Sequence, residues 1–130
     1  MTASSASPLA RRVPAIVALL FGLVTIVAGT RVLAGADPGY LVFRPLLLFN
    51  TLMGAVYVAA GLAAWKSARR GRYLAGGILS LNVGVLGILL FLRETADVVA
   101  AESVRAMLLR TVVWLILFLA LIAAARQQPD

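Results

Sequence analysis

The sequence predicts an all-α integral membrane protein, a four-helix bundle in up-down-up-down order with both termini in the cytoplasm. Hydrophobic residues make up 62% of the 130-residue chain and the mean hydropathy is +1.00, well above an ordinary soluble domain. Four apolar segments each approach the roughly 20 residues that a helix needs to cross a bilayer core. Basic residues flank these segments, as they do in membrane-spanning chains.

The four predicted spans lie in one domain, residues 13–126. Each must be helical, because lipid offers no hydrogen bonds to the backbone. Pro45 suits the first position of the second helix. The first apolar run exceeds the usual hydrophobic region of a secretory signal, so we expect it to be retained. The spans cover residues 13–33, 45–65, 73–92 and 106–125.

The segments outside the spans are short. Residues 1–12 are small, polar or basic and are predicted to form a disordered cytoplasmic tail, with a second tail at residues 127–130. The first connection contains Asp37-Pro38-Gly39, which is typical of a turn. The connection between the third and fourth spans is the longest, so either the fourth helix begins early there or the connection lies along the membrane interface.

Lysine and arginine placement predicts the orientation. The second connection is crowded with basic residues, and Arg11 and Arg12 precede the first span. Since basic loops stay in the cytoplasm, this connection and both termini are expected inside. Four of the five acidic residues fall in the other two connections, which are therefore expected outside. The alanine- and arginine-rich composition favours a bacterial inner membrane.

The residue types that the sequence lacks argue against catalysis. It has no cysteine and no histidine, so disulfides, thiol chemistry and metal sites built on these residues are excluded. No span holds a carboxylate away from its ends, and no nucleophile–base pair is visible. We therefore expect a non-enzymatic protein without a metal or cofactor. The net charge of +7 lies mainly beside the spans, so nucleic acid is not an expected partner.

Small and polar residues recur at helical spacing and are predicted to line the bundle interior. Small residues allow close helix packing in lipid, where an apolar surface alone does not drive association. The expected packing residues are Gly54, Gly61, Gly76, Gly84 and Gly87. The expected buried polar contacts are Asn50, Tyr57, Ser80 and Asn82. We favour hydrogen bonding between helices for the two asparagines over a polar stop in a permeation path.

Each span also carries an arginine near its predicted outer end: Arg31, Arg44, Arg93 and Arg110. Arg110 is the informative one, because it lies about 6 Å inside the start of the fourth span. One interpretation is that these side chains reach the lipid headgroups or pair with carboxylates. The other is an outward-facing cationic pocket for an anion, a lipid phosphate or a carboxylate.

Two functional hypotheses follow from these features. The first is a small accessory or assembly subunit of a larger membrane complex, supported by the short loops and glycine faces. The alternative is a small oligomeric transporter or channel whose arginines form an anion-attracting site for ions or lipid headgroups. The expected partners are membrane lipid and either another membrane protein or further copies of this chain.

Overall fold

The structure, a computed structural model, describes residues 8–127 and contains four α-helices in this part of the chain. All four are long and apolar enough to cross a membrane, which confirms the predicted helical class and indicates a small multi-pass membrane protein. They are α1 (Pro8–Leu33), α2 (Arg44–Lys66), α3 (Ala68–Thr95) and α4 (Ala101–Gln127).

The helices extend beyond the predicted spans. α1 begins at Pro8 rather than 13, so residues 8–12 are helical and not the predicted disordered tail. α3 begins at Ala68 and α4 at Ala101, five residues before each predicted boundary. Hydropathy marks only the apolar part of a helix, whereas backbone hydrogen bonding continues through the polar flanks. Of the predicted tails, residues 1–7 and 128–130 lie outside the described part.

The connections follow from local turn chemistry. Only Ser67 separates α2 from α3, and its hydroxyl accepts a hydrogen bond from the Arg70 amide at 3.4 Å, as helix N-caps do. In the first connection, Asp37 Oδ1 accepts from the Gly39 amide at 2.8 Å. Gly39 has a φ of +87°, a left-handed conformation that glycine adopts without strain.

Helices α1 and α2 pack backbone against backbone through glycines. A Cβ atom built at Gly22 would lie 2.8 Å from the Gly54 carbonyl oxygen. One built at Gly61 would lie 2.9 Å from the Ala15 carbonyl oxygen. A Cβ atom built at Gly29 would meet the Thr51 side chain. The absence of side chains at these positions is what lets the two helices approach so closely.

Two apolar cores lie along the bundle. The loop-end core joins the two longer connections and contains Leu46, Leu89, Val99 and Met107. The turn-end core runs from the bundle centre to the Ser67 turn and is rich in small residues, including Ala15, Ala60, Ala64, Ala68, Ala75 and Ala124. We use these names, loop end and turn end, for the two ends of the bundle.

Most of the helical surface faces outward. Between 22% and 33% of the residues in the most apolar window of each helix are buried. Large apolar side chains cover the rest, with Val24 65%, Leu52 70% and Phe91 64% exposed. Lipid is the environment that such a surface requires, because soluble monomers rarely expose apolar patches of this extent.

The predicted interior placement of the α3 glycines is wrong for two of the three. Gly76 does face the bundle, where an added Cβ would lie 3.0 Å from the Phe118 ring. Gly84 and Gly87 are exposed, and no atom of the described chain lies within 4 Å of a Cβ built on them. The buried face of α3 instead contains Asn82 and Leu89. Each lies two positions from Gly84 or Gly87, about 200° around the helix.

Candidate functional site

All four helices contribute to a polar cluster at the bundle centre. Tyr57 on α2, Asn82 on α3 and Trp114 on α4 are each 0% exposed. The Tyr57 ring lies 4.9 Å from the Trp114 ring and 5.5 Å from the Phe21 ring of α1, measured between centroids. This aromatic stack joins three helices and places the polar atoms of its members in the membrane interior.

The polar atoms of this cluster lack full hydrogen-bond partners. Among the described residues, none completes a hydrogen bond with the Tyr57 hydroxyl, the Trp114 Nε1 or either side-chain amide atom of Asn82. A buried polar group without a partner costs about 1–3 kcal/mol. The bundle therefore contains polar groups that its own side chains do not satisfy.

Arg110 links this cluster to the loop end of the bundle. It lies on α4 four residues before Trp114, so the two side chains share a helix face. Its guanidinium interacts electrostatically with the Tyr57 hydroxyl, as Asn82 also does. Arg110 also donates from NH1 to the Ala106 carbonyl oxygen of its own helix, at 3.4 Å. Within residues 8–127, its buried Nε has no partner and no carboxylate forms an ion pair with it.

A cavity of about 130 Å³ lies beside Arg110 at the loop end. It is bounded by α1, α2, α4 and the first connection. Its apolar wall includes Phe43 and Leu46. Its polar lining residues are Thr25, Tyr40, Asn50, Ser103 and Arg110.

The cavity is electropositive, because Arg110 is the one charged residue among those that line it. The Arg110 Nε is an unpartnered donor beside the cavity. The Tyr57 hydroxyl, Asn82 Nδ2 and Trp114 Nε1 are further donors deeper in the bundle, and their residues do not line the cavity. The unpartnered acceptors are the amide oxygens of Asn50 and Asn82. A fixed positive charge beside such donors favours an anionic group with several oxygens.

The other three arginines of the predicted cluster do not line this cavity. Arg93 donates from NH1 to the Val99 carbonyl oxygen at 3.3 Å and so binds the connection between α3 and α4. Arg31 lines an exposed groove on α1. Arg44 is exposed at the first residue of α2. A joint site built from all four arginines remains a prediction, whereas the structure places Arg110 alone at the cavity.

The predicted buried polar contacts differ in their placement. Tyr57 and Asn82 are neighbours in the core, and Asn50 is half-buried at the cavity. Ser80 was predicted to be buried, but it is exposed and donates to the Gly76 carbonyl of its own helix at 2.9 Å. Its position lies two residues from Asn82, which places it on the opposite face of α3.

Two residues of this region, Trp114 and Ser103, were not identified from the sequence. Trp114 is fully buried, while Ser103 and Thr25 are each 5% exposed. Ser103, Arg110 and Trp114 share one face of α4, because their spacings of seven and four are helical repeats. That periodicity was available in the sequence. The Thr25 hydroxyl donates to the Phe21 carbonyl at 2.7 Å, and its approach to the cavity depends on helix packing.

The turn end also contains polar atoms without partners. Among the described residues, the Nε atoms of Arg12 and Arg72 are buried and form no hydrogen bond, whereas the buried polar residues Thr25, Asn82 and Ser103 all lie outside the turn-end core. Other polar interactions lie on the surface of this end. Arg11 Nε donates to the Trp65 carbonyl oxygen at 2.9 Å, and the Arg12 guanidinium lies 4.9 Å from the Trp65 ring centroid. These contacts connect the start of α1 with the end of α2.

Comparison of the chain with protein-family models, with curated proteins and with solved structures finds no match.

Proposed function

We propose that this chain is a small, non-catalytic multi-pass membrane protein that binds an anionic group in the loop-end cavity. The observation that carries the proposal is the Arg110 side chain, which has an unpartnered Nε beside a cavity without a lining carboxylate. A guanidinium inside a membrane span is costly, and such residues usually serve function. Two further unpartnered donors, of Tyr57 and Trp114, lie deeper in the bundle on the same side of Arg110 as the bundle centre.

The proposal includes an orientation. The helices alternate in direction, both termini lie in the cytoplasm, and the loop end faces outward from a bacterial inner membrane. The support is the charge distribution, since Lys66, Arg69, Arg70 and Arg72 all lie at or next to the Ser67 turn. The cavity would then receive its ligand from the outer leaflet or from the outer aqueous phase.

The interior of the bundle is better suited to binding an anion than to conducting ions through a single chain. A path for ions needs polar groups or water along its whole length. Here the buried polar residues reach the centre, and beyond Tyr57 and Trp114 the core consists of alanine and other apolar side chains. The transporter or channel hypothesis would therefore require a path between several copies of the chain.

The test is anion binding to purified protein in detergent. Trp114 fluorescence reports on the site in a Trp65→Phe background, because Trp65 is distant from the cavity and 40% exposed. The probes are inorganic phosphate and dodecyl phosphate, which present the same group with and without an alkyl chain. We expect Arg110→Gln to weaken binding about tenfold to a hundredfold, since a hydrogen bond to a charged group contributes about 1.5–3 kcal/mol.

The matched control is Arg44→Gln, which removes an exposed arginine outside the cavity lining and should leave binding unchanged. Arg110→Lys should retain part of the affinity, because it keeps the charge but loses the fork of donors. The proposal fails if neither phosphate probe binds, or if Arg110→Gln binds them as tightly as the unaltered chain.

A second function, an accessory role beside another membrane helix, is favoured by the exposed face of α3. Gly77, Gly84 and Gly87 form a face on which an added Cβ would meet no atom of the described chain within 4 Å. Such a face permits close approach by a helix of another protein. Gly84→Ile should abolish co-purification of such a partner, whereas Leu119→Ile, on an exposed position of α4, should not. Co-purification that survives Gly84→Ile would remove this role.

A further inference from the structure

An exposed groove on α1 adjoins the loop-end cavity. We call it the α1 groove, and it is lined by Leu23, Val24, Val27, Ala28 and Arg31. Ala28 is exposed and lines both the groove and the cavity. The cavity in the bundle and the groove on its lipid-facing surface therefore meet at this alanine.

The two compartments differ in chemistry. The groove consists of apolar side chains that are 52%, 65% and 57% exposed at Leu23, Val24 and Val27. Arg31 lies at the end of the groove nearer the loop end. The cavity adds the guanidinium of Arg110, and neither compartment has a carboxylate among its lining residues. An apolar surface groove beside two arginines matches a molecule with an alkyl chain and an anionic head.

We propose that the ligand of the cavity is a membrane lipid with an anionic phosphate headgroup, whose phosphate binds at Arg110 while one acyl chain lies along the α1 groove. This inference rests on the proposed anion-binding function and specifies its ligand. Phosphatidylglycerol represents the class, because its phosphate charge has no positive group to neutralise it, unlike that of phosphatidylcholine.

The size of the cavity supports the placement of the phosphate in the cavity and of the acyl chain in the α1 groove. A volume of 130 Å³ corresponds to about four water molecules at roughly 30 Å³ each. That space has room for a phosphate with a few neighbouring atoms and is too small for a whole acyl chain. The chain must therefore leave the cavity, and Ala28 is where the cavity meets an apolar surface. Of the four interfaces between neighbouring helices, that between α1 and α4 is the least extensive, so α1 is the side on which entry is easiest.

The experiment compares lipid retention by native mass spectrometry. The full chain is released from nanodiscs that contain equal amounts of phosphatidylglycerol and phosphatidylcholine. The unaltered chain should retain phosphatidylglycerol selectively, and Arg110→Gln should retain about tenfold less of it. Ala28→Phe should block the junction and have the same effect. Ala59→Phe, at an exposed alanine of α2 outside both compartments, is the matched control and should retain the lipid.

Phosphate titration separates this inference from the proposed function. Val24→Asn changes a residue that lines the α1 groove but not the cavity, so this variant should still bind inorganic phosphate. Dodecyl phosphate should bind the unaltered chain at least about tenfold more tightly than inorganic phosphate, the gain from about two buried methylenes. Val24→Asn should lose most of this gain, so that its affinities for the two probes approach each other.

The inference would be overturned by any of the following results. Equal retention of the two lipids by the unaltered chain, or equal retention of phosphatidylglycerol by Arg110→Gln, would show a lipid held by the apolar surface alone. Selective retention that survives Ala28→Phe would remove the α1 groove from the site. If inorganic phosphate binds at Arg110 without lipid selectivity, the ligand is a free anion and the proposed function stands. If no probe and no lipid depends on Arg110, both proposals fail.

Discussion

The Tyr57 and Trp114 rings pack with their centroids 4.9 Å apart and their planes inclined by 36°, at positions that are both inaccessible to solvent. The contact joins α2 to α4 across the bundle. Each ring also carries a polar atom that no side chain of the described chain satisfies. The same pair therefore holds two helices together and presents two donors in the interior.

Two substitutions of Tyr57 distinguish the packing of its ring from the role of its hydroxyl. Tyr57→Ala removes a buried ring and should lower the stability of the bundle by about 3–5 kcal/mol. Tyr57→Phe keeps the ring and removes a hydroxyl without a full hydrogen-bond partner, so stability should be unchanged or higher by about 1 kcal/mol. Unfolding by a denaturing detergent, followed by circular dichroism, measures both. A large loss of stability in Tyr57→Phe would show that the hydroxyl is satisfied in the folded protein.

Asn82 is expected to be replaceable by an apolar side chain. Its two amide polar atoms are buried and complete no hydrogen bond, and leucine has the same branched arrangement of side-chain heavy atoms. Asn82→Leu should therefore fold and be as stable as the unaltered chain, or more stable by about 1 kcal/mol. Asn82→Ala is the control, because it leaves a cavity and should be less stable than Asn82→Leu. The reverse order of stability would contradict this assignment.

Glycine substitutions should distinguish the helix faces. Gly22→Ala places a methyl group 2.8 Å from the Gly54 carbonyl oxygen and 2.9 Å from the Val58 amide nitrogen, so the backbones must separate. We expect a loss of about 1–3 kcal/mol. Gly84→Ala, where an added Cβ meets no atom of the described chain within 4 Å, should leave the stability of an isolated chain unchanged. Thermal unfolding of the two variants in the same detergent makes the comparison, and equal stabilities would contradict the packing.

The orientation can be tested by cysteine labelling, because the chain has no native cysteine. Ala96→Cys and Gln127→Cys introduce thiols at exposed positions without changing the charge of the chain. A membrane-impermeant maleimide should label Ala96→Cys in intact cells and Gln127→Cys only after permeabilisation. Labelling of Gln127→Cys in intact cells would place the C-terminus outside and reverse the proposed orientation.

The sequence predicts the helical class because lipid allows so few alternatives. Apolar segments of membrane length must form helices, and four such segments are visible without knowledge of any contact. Arg110 stands out for the same reason, since a charged side chain inside a span is unusual wherever its helix packs. Tyr57 and Asn82 were likewise expected in the interior because they are polar residues well inside apolar segments.

The rotation of each helix about its axis decides which residues contact one another. The sequence did not determine this rotation. Gly84 and Gly87 share a face of α3 with Ser80, yet that face points outward and Asn82 lies on the buried one. In a lipid environment, apolar and small residues occur on both faces of a helix, so composition does not identify the inner face. Only the packed bundle placed Arg110 beside a cavity and separated it from Arg31, Arg44 and Arg93. Membrane insertion is therefore readable from local hydropathy, whereas the binding site depends on the rotation and close approach of four helices.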